Sequence, residues 1–192
     1  MRTDIVAAHF LGLAAVAERA ATELSPDVAE VAGMIEQAFR AGGKLLFCGN
    51  GGSAADAQHL ATEYVVRFRR NRRPLPAIAL TTDTSLLTAA SNDLGYREVF
   101  ARQVEALGRP GDVLFLHSTS GDSENMLAAA DAAGRMGMVT VGVLAGGGGR
   151  LRERVDRALI VQTDSGAHAQ ELHIAIGHAI CELVERAFAE MP

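Results

Sequence analysis

His59 and Glu63 stand four residues apart inside a stretch, Ser53 to Phe68, that contains neither glycine nor proline. On a helix that spacing puts both side chains on one face, about 6 Å apart, close enough to share a divalent ion or a substrate proton. Directly ahead of them runs Asn50-Gly51-Gly52-Ser53, small residues that bare the backbone, with a hydroxyl where the helix would begin. A second loop, Ser118-Thr119-Ser120-Gly121-Asp122-Ser123, is rich in hydroxyls in the equivalent place. Hydroxyls together with helix-start N–H groups are what a phosphate monoester needs where no P-loop lysine is present. Neither loop matches G-x-G-x-x-G or G-x-x-x-x-G-K-[ST], so a sugar phosphate fits better than a dinucleotide. Either loop alone could merely cap a helix or make a turn, but two at corresponding places point to a ligand.

Gln170, Glu171, His173 and His178 lie on or beside the otherwise apolar HIAIGHAICELV. Polar groups on a helix of that character need partners. His173 reads as a helix-face residue with a hydrogen bond; His178, between Ile176 and Ile180, is the better ligand candidate. Gln170 and His178 are eight residues apart, about 12 Å along a straight helix, so one ion joins both only if their side chains converge from opposite ends. A second chain would ease that geometry, and the long apolar N-terminal helices also favour an oligomer with intersubunit sites.

The elements that must position these groups alternate. Two helices fill the first 42 residues, with Ser25-Pro26-Asp27 predicted as N-cap, N1 and N2 of the second and Gly42-Gly43 ending it. KLLFCG, PAIAL (76–80), the run from Asp112, MVTVGVL (138–144) and ALIVQT (158–163) are short all-apolar runs of the kind buried in parallel sheets. A last helix is predicted from about Gly166 to Phe188. Strand, loop, helix in succession predicts a three-layer α/β/α sandwich around a five-stranded parallel sheet. AGGGGRL (145–151) reads as a βα loop, and RFRRNRRPLP (67–76) as a basic connection without a core pattern. The 192 residues, 48% hydrophobic and 21% charged, form one expected domain: helices over 1–42 and an α/β core over 43–192. A net charge of -5 supplies no general attraction to nucleic acid or anionic lipid. No export signal or membrane span is read, and Cys48 and Cys181 fit buried free thiols in a reducing cytoplasm.

NGGSAADAQHLATE (50–63), ASNDLGYREVF (90–100), STSGDSENM (118–126) and AQELHIAIGH (169–178) resemble the phosphoheptose isomerases of the sugar isomerase (SIS) superfamily. The resemblance covers nearly the whole chain. It implies a flavodoxin-like sandwich, a cytoplasmic homotetramer and one Zn2+ per subunit, held by His59, Glu63, Gln170 and His178. It further implies substrate contacts from Asn50, Gly51, Gly52, Ser53, Asn92, Asp93, Ser118, Thr119, Ser120 and Ser123, with Glu63 and Gln170 serving both substrate and metal. The implied reaction converts D-sedoheptulose 7-phosphate to D-glycero-D-manno-heptose 7-phosphate through an enediolate, the first step of nucleotide-activated heptose biosynthesis. An aldose–ketose isomerisation needs a base over the carbon and a proton donor or positive charge over the oxygen. Glu63 is the choice for the carbon base and His178 for the oxygens.

Two departures stand out. Asp122 replaces an Asn common in the family's phosphate loop, adding negative charge near a dianion, and Ala167-His168-Ala169 replaces an acidic residue expected ahead of Gln170. The rival from another class is a non-catalytic SIS-fold regulator that binds the bacterial replication initiator; the joint presence of His59, Glu63, Gln170 and His178 discriminates against it. A second rival is a SIS enzyme acting on an aminosugar phosphate or an ether.

Overall fold

The computed structural model describes residues 1–189. Five strands, β1 (Leu45–Gly49), β2 (Ala77–Ala79), β3 (Val113–Ser118), β4 (Val139–Ala145) and β5 (Arg157–Val161), form one parallel sheet in the order β2-β1-β3-β4-β5. Leu45 pairs with Ala77 on one side and with Val113 on the other, and Gly49 with His117. β1 and β3 are buried at every position, which is why their sequences run apolar without alternation.

Odd and even residues of those strands feed two separate cores. Leu45, Phe47, Val113 and Phe115 pack with α2 (Ser25–Arg40), α3 (Gly52–Val65) and α7 (Gly166–Ala189). Leu46, Cys48, Leu114 and Leu116 pack with α4 (Thr84–Asp93), α5 (Ala101–Leu107) and α6 (Glu124–Arg135). The result is the expected three-layer sandwich. Both cysteines are free and buried. α4 and α5, between β2 and β3, are helices that the sequence reading does not anticipate; Asp83 caps α4 by accepting from the Leu86 N–H at 3.0 Å.

The N-terminal helices run almost continuously. α1 (Arg2–Glu23) passes into α2 through a single residue, Leu24, whose backbone stays near helical values at φ -104 and ψ -12. Ser25 is therefore not an N-cap. Its hydroxyl instead donates back to the Ala21 carbonyl at 2.6 Å, because the preceding helix leaves that carbonyl within reach. α1 has no buried residue and leaves Ile5, Val6, Phe10 and Leu11 exposed. Among the described residues it is the one helix long and apolar enough, by length and composition, to cross a bilayer. Its other side, Leu13, Val16, Ala17 and Ala20, lies against the first core. A cavity of about 690 Å³ sits between α1, α2 and α7 and is mostly apolar, far in character from the polar loops.

Candidate active site

The crossovers from β1 and β3 leave the sheet toward opposite faces, to α3 and α6, so a crevice opens beyond their carboxyl ends. Gly51 makes the turn out of β1 with φ 57, a conformation that costs glycine little. Gly52 is required for another reason: a β-carbon there would fall 2.6 Å from Oε1 of Gln170 on α7. The Asn50 amide pairs reciprocally with the Asn125 amide, 2.9 Å in each direction, and the Tyr96 hydroxyl donates to Asn50 Oδ1 at 2.8 Å. The turn after β1 is thus tied across the crevice to the start of α6. Tyr96 and Asn125 lie within segments 90–100 and 118–126, yet only the fold shows that both hold Asn50.

The hydroxyl loop bends around its own side chains. Gly121 N–H donates to Ser118 Oγ at 3.0 Å and Asp122 N–H to Ser120 Oγ at 3.3 Å, while Ser123 stands at the N-cap of α6 with no side-chain cap bond. Thr119 and Ser120 open onto a polar cleft of about 360 Å³ shared with Gly146, Gly147, Thr163 and Ser165. The glycine loop after β4 packs hard against this one, since a β-carbon on Gly121 would meet the Gly148 carbonyl at 1.9 Å.

That packing brings up a residue the sequence does not flag. Arg150 donates to Asp122 Oδ1 from its backbone N–H at 3.0 Å and from Nε at 3.2 Å, and its Nη2 reaches Glu124 at 2.9 Å. These bonds from Arg150 hold the Asp122 carboxyl below the usual carboxylate range. Asp122 stays ionised, but its charge faces a guanidinium. Arg150→Ala should expose that charge to an incoming phosphate and raise KM for a sugar phosphate about five-fold, with kcat little changed. Adding Asp122→Asn should restore KM; steady-state kinetics on the three variants checks both.

His59 Nε2 lies 3.2 Å from Glu63 Oε1 and 2.9 Å from Nε2 of His178. α3 and α7 come this close because residue 177 is glycine: a β-carbon there would meet Leu60 Cδ2 at 2.4 Å. The basic stretch 67–76 is more than a connection. Glu185, buried on α7, accepts the N–H groups of Phe68, Arg69 and Arg70 at 3.0, 2.8 and 2.9 Å. Arg72, buried beside it, donates to the carbonyls of Glu63 at 2.7 Å and Tyr64 at 2.8 Å. Thus anchored, the strap lays the Phe68 ring on the His178 ring, 5.1 Å between centroids with planes 20° apart. Burial and the neighbouring His59 push the His178 pKa down, so its neutral form prevails near pH 7. The donor atoms of His59, Glu63 and His178 all lie within 4.8 Å of one another, a spacing that suits one divalent ion with N and O ligands.

The SIS domain family matches residues 9–145. A phosphoheptose isomerase of Roseiflexus sp. is 57% identical over 166 residues, 86% of this chain and 84% of that protein. The solved phosphoheptose isomerase of Francisella tularensis superposes with a TM-score of 0.94 at 36% identity, covering 97% of this chain and 99% of that one. That of Neisseria gonorrhoeae gives 0.93 at 40%, covering 97% and 100%. The chain belongs to the phosphoheptose isomerase family of SIS-domain proteins.

Of the ligands the resemblance implies, His59, Glu63 and His178 come together, and Gln170 stands about two turns earlier on α7. Its amide lies over Gly52 at the start of α3. Asn92 and Asp93 end α4, exposed and bonded to each other at 2.7 Å, with Tyr96 linking that segment to Asn50. Where an acid was expected ahead of Gln170, His168 meets His9 of α1 at 3.3 Å, and His9 in turn meets Glu171 at 3.0 Å. His173 has the expected hydrogen bond, from Nε2 to the Leu144 carbonyl at 3.0 Å, and is fully buried.

Proposed function

We propose that the chain converts D-sedoheptulose 7-phosphate to D-glycero-D-manno-heptose 7-phosphate, the activity its relatives' names carry, with Glu63 and His178 as the proton-handling pair. The observation that carries this reading is the meeting of His59 and Glu63 on α3 with His178 on α7, behind the turn at Asn50–Gly52. Glu63 takes a proton from C1 of the ketose and returns one to C2 from the same position, leaving an enediolate between the two transfers. Its backbone carbonyl is pinned by Arg72, so the carboxylate swings from a fixed point. Neutral His178 accepts the proton from the oxygen on C1 and delivers one to the oxygen on C2. The loop of Ser118, Thr119, Ser120 and Ser123 binds the phosphate at the far end of the chain, and Asn50, Gly51, Gly52, Ser53, Asn92, Asp93 and Gln170 line the approach. Remote phosphate binding holds the reacting carbons against Glu63, so that interaction energy is converted into orientation.

His59, Glu63 and His178 fit a zinc ion, one per subunit, with Gln170 as the fourth ligand once substrate or a second copy draws its amide from Gly52. Such an ion supplies positive charge to the sugar's carbonyl oxygen. The exposed apolar side of α1 and the groove among α1, α2 and α7 support a homotetramer in which residues 1–42 pack between copies of a single SIS domain. A cytoplasmic enzyme with no nucleic-acid or membrane partner completes the reading. The replication-initiator regulator is not favoured, since binding a protein gives no reason to assemble His59, Glu63 and His178. A panel of sedoheptulose 7-phosphate, fructose 6-phosphate and glucosamine 6-phosphate tests the assignment: turnover of the heptulose alone is expected, and turnover of either six-carbon substrate in its place would overturn it.

A further inference from the structure

One turn before His59 on α3, a second cluster lies beneath the crevice. Asp56, His117 at the end of β3 and His173 on α7 bring one donor atom each within 4.8 Å of one another. His117 and His173 are 1% and 0% exposed. Both ring nitrogens of His117, Nδ1 of His173 and Oδ2 of Asp56 are buried and have no hydrogen-bond partner among the described residues. A buried polar atom left so bears its desolvation cost with nothing to offset it, and such atoms gathered from three residues call for a ligand.

One atom from each of the three residues supplies the chemistry of a metal site. His173 donates its Nε2 proton to the Leu144 carbonyl, which fixes the tautomer and turns the Nδ1 lone pair inward. Metal-bound histidines are oriented this way, by a backbone carbonyl on the other ring nitrogen. The His117 ring meets the His173 ring edge-on at 6.2 Å between centroids, so neither ring bonds the other although one carries a lone pair and the other an N–H. Donor atoms that lie within 4.8 Å of one another yet share no hydrogen bond leave room for an ion between them, each about 2.0–2.2 Å from it. Burial and the neighbouring His173 push the His117 pKa down to about 3, so the ring is neutral, the form that binds metals. Burial pushes the Asp56 carboxyl up to about 6, a shift that a cation beside it would reverse.

We propose that Asp56, His117 and His173 form a buried binding site for a divalent transition-metal ion, distinct from His59, Glu63 and His178. Two imidazoles and one carboxylate, without a thiolate, select a first-row divalent ion such as Zn2+ over Ca2+ or Mg2+. The ion would lock α3, β3 and α7 together directly under both substrate loops, since Ser118 follows His117 and Ser53 lies one turn from Asp56. Access is from the Asp56 side, the one member of the cluster that is only half-buried.

The test counts zinc in the full chain after chelation, reloading with Zn2+ and gel filtration, beside thermal unfolding with and without the ion. The His59→Ala/His178→Ala variant removes the other cluster and is expected to keep one zinc per chain. Adding His117→Leu or, separately, Asp56→Ala should remove it, together with a zinc-dependent rise in Tm of about 5–10 °C at a hundred-fold excess over Kd. Without zinc, His117→Leu should melt no lower than wild type, because it removes orphaned polar atoms from a core. Zinc-free His59→Ala/His178→Ala protein, or a zinc that survives both His117→Leu and Asp56→Ala, would overturn the proposal whatever the first cluster binds.

Discussion

Glu63→Gln is expected to lower kcat for the heptulose phosphate by about 10²–10⁴-fold, the range a positioned general base contributes, with KM changed far less. The substitution keeps the size of the side chain and can still accept from His59, so only the capacity to take a carbon-bound proton is lost. α3 is held by the buried Leu60, Ala61 and Tyr64 and by Arg72 on the Glu63 carbonyl, none of which the amide disturbs. Thermal unfolding should therefore match wild type within about 2 °C, and a stopped assay read by NMR gives the rate. A variant retaining a tenth of wild-type kcat would remove Glu63 from the reaction.

Gly177→Ala is the second large effect, and it acts without touching a reacting group. The new methyl would stand 2.4 Å from Cδ2 and 2.6 Å from Cδ1 of Leu60, which is 2% exposed. α7 must then move off α3, carrying His178 away from His59 and Glu63. A displacement near 1 Å at such a pair costs about 10²-fold in rate, and overpacking of about 1–3 kcal/mol lowers Tm by several degrees. Leu60→Ala opens the missing space, so the double variant should recover part of the lost kcat, and the two changes should be less than additive. Additive losses would show that the helices tolerate the methyl without separating.

Residue patterns that follow one element at a time were legible. All-apolar runs such as LLFCG can only be buried on both faces, so the parallel sheet followed, and the glycine turn and hydroxyl loop fell where strands give way to helices. His59 and Glu63 share a helix face by spacing alone. What was not legible depends on contacts between elements far apart in sequence. Nothing in RFRRNRRPLP says that its backbone N–H groups will be collected by Glu185, 115 to 117 residues later, and so nothing placed Phe68 on His178. Asp122 read as an unwelcome charge because Arg150, its partner, sits in a loop with only glycine to recommend it. His117 is one residue in an apolar strand, and its meaning appears only when Asp56 and His173 arrive from two other helices. Ser25 shows the opposite error: a good capping sequence was overridden because α1 continued into it.

Proton NMR of sedoheptulose 7-phosphate incubated in deuterated buffer with the zinc-loaded wild-type chain tests the central assignment most directly. An aldoheptose 7-phosphate carrying solvent deuterium at C2 is expected to grow, at a rate that falls with Glu63→Gln. Unchanged substrate, with no aldose signal and no exchange of the C1 protons, would contradict it.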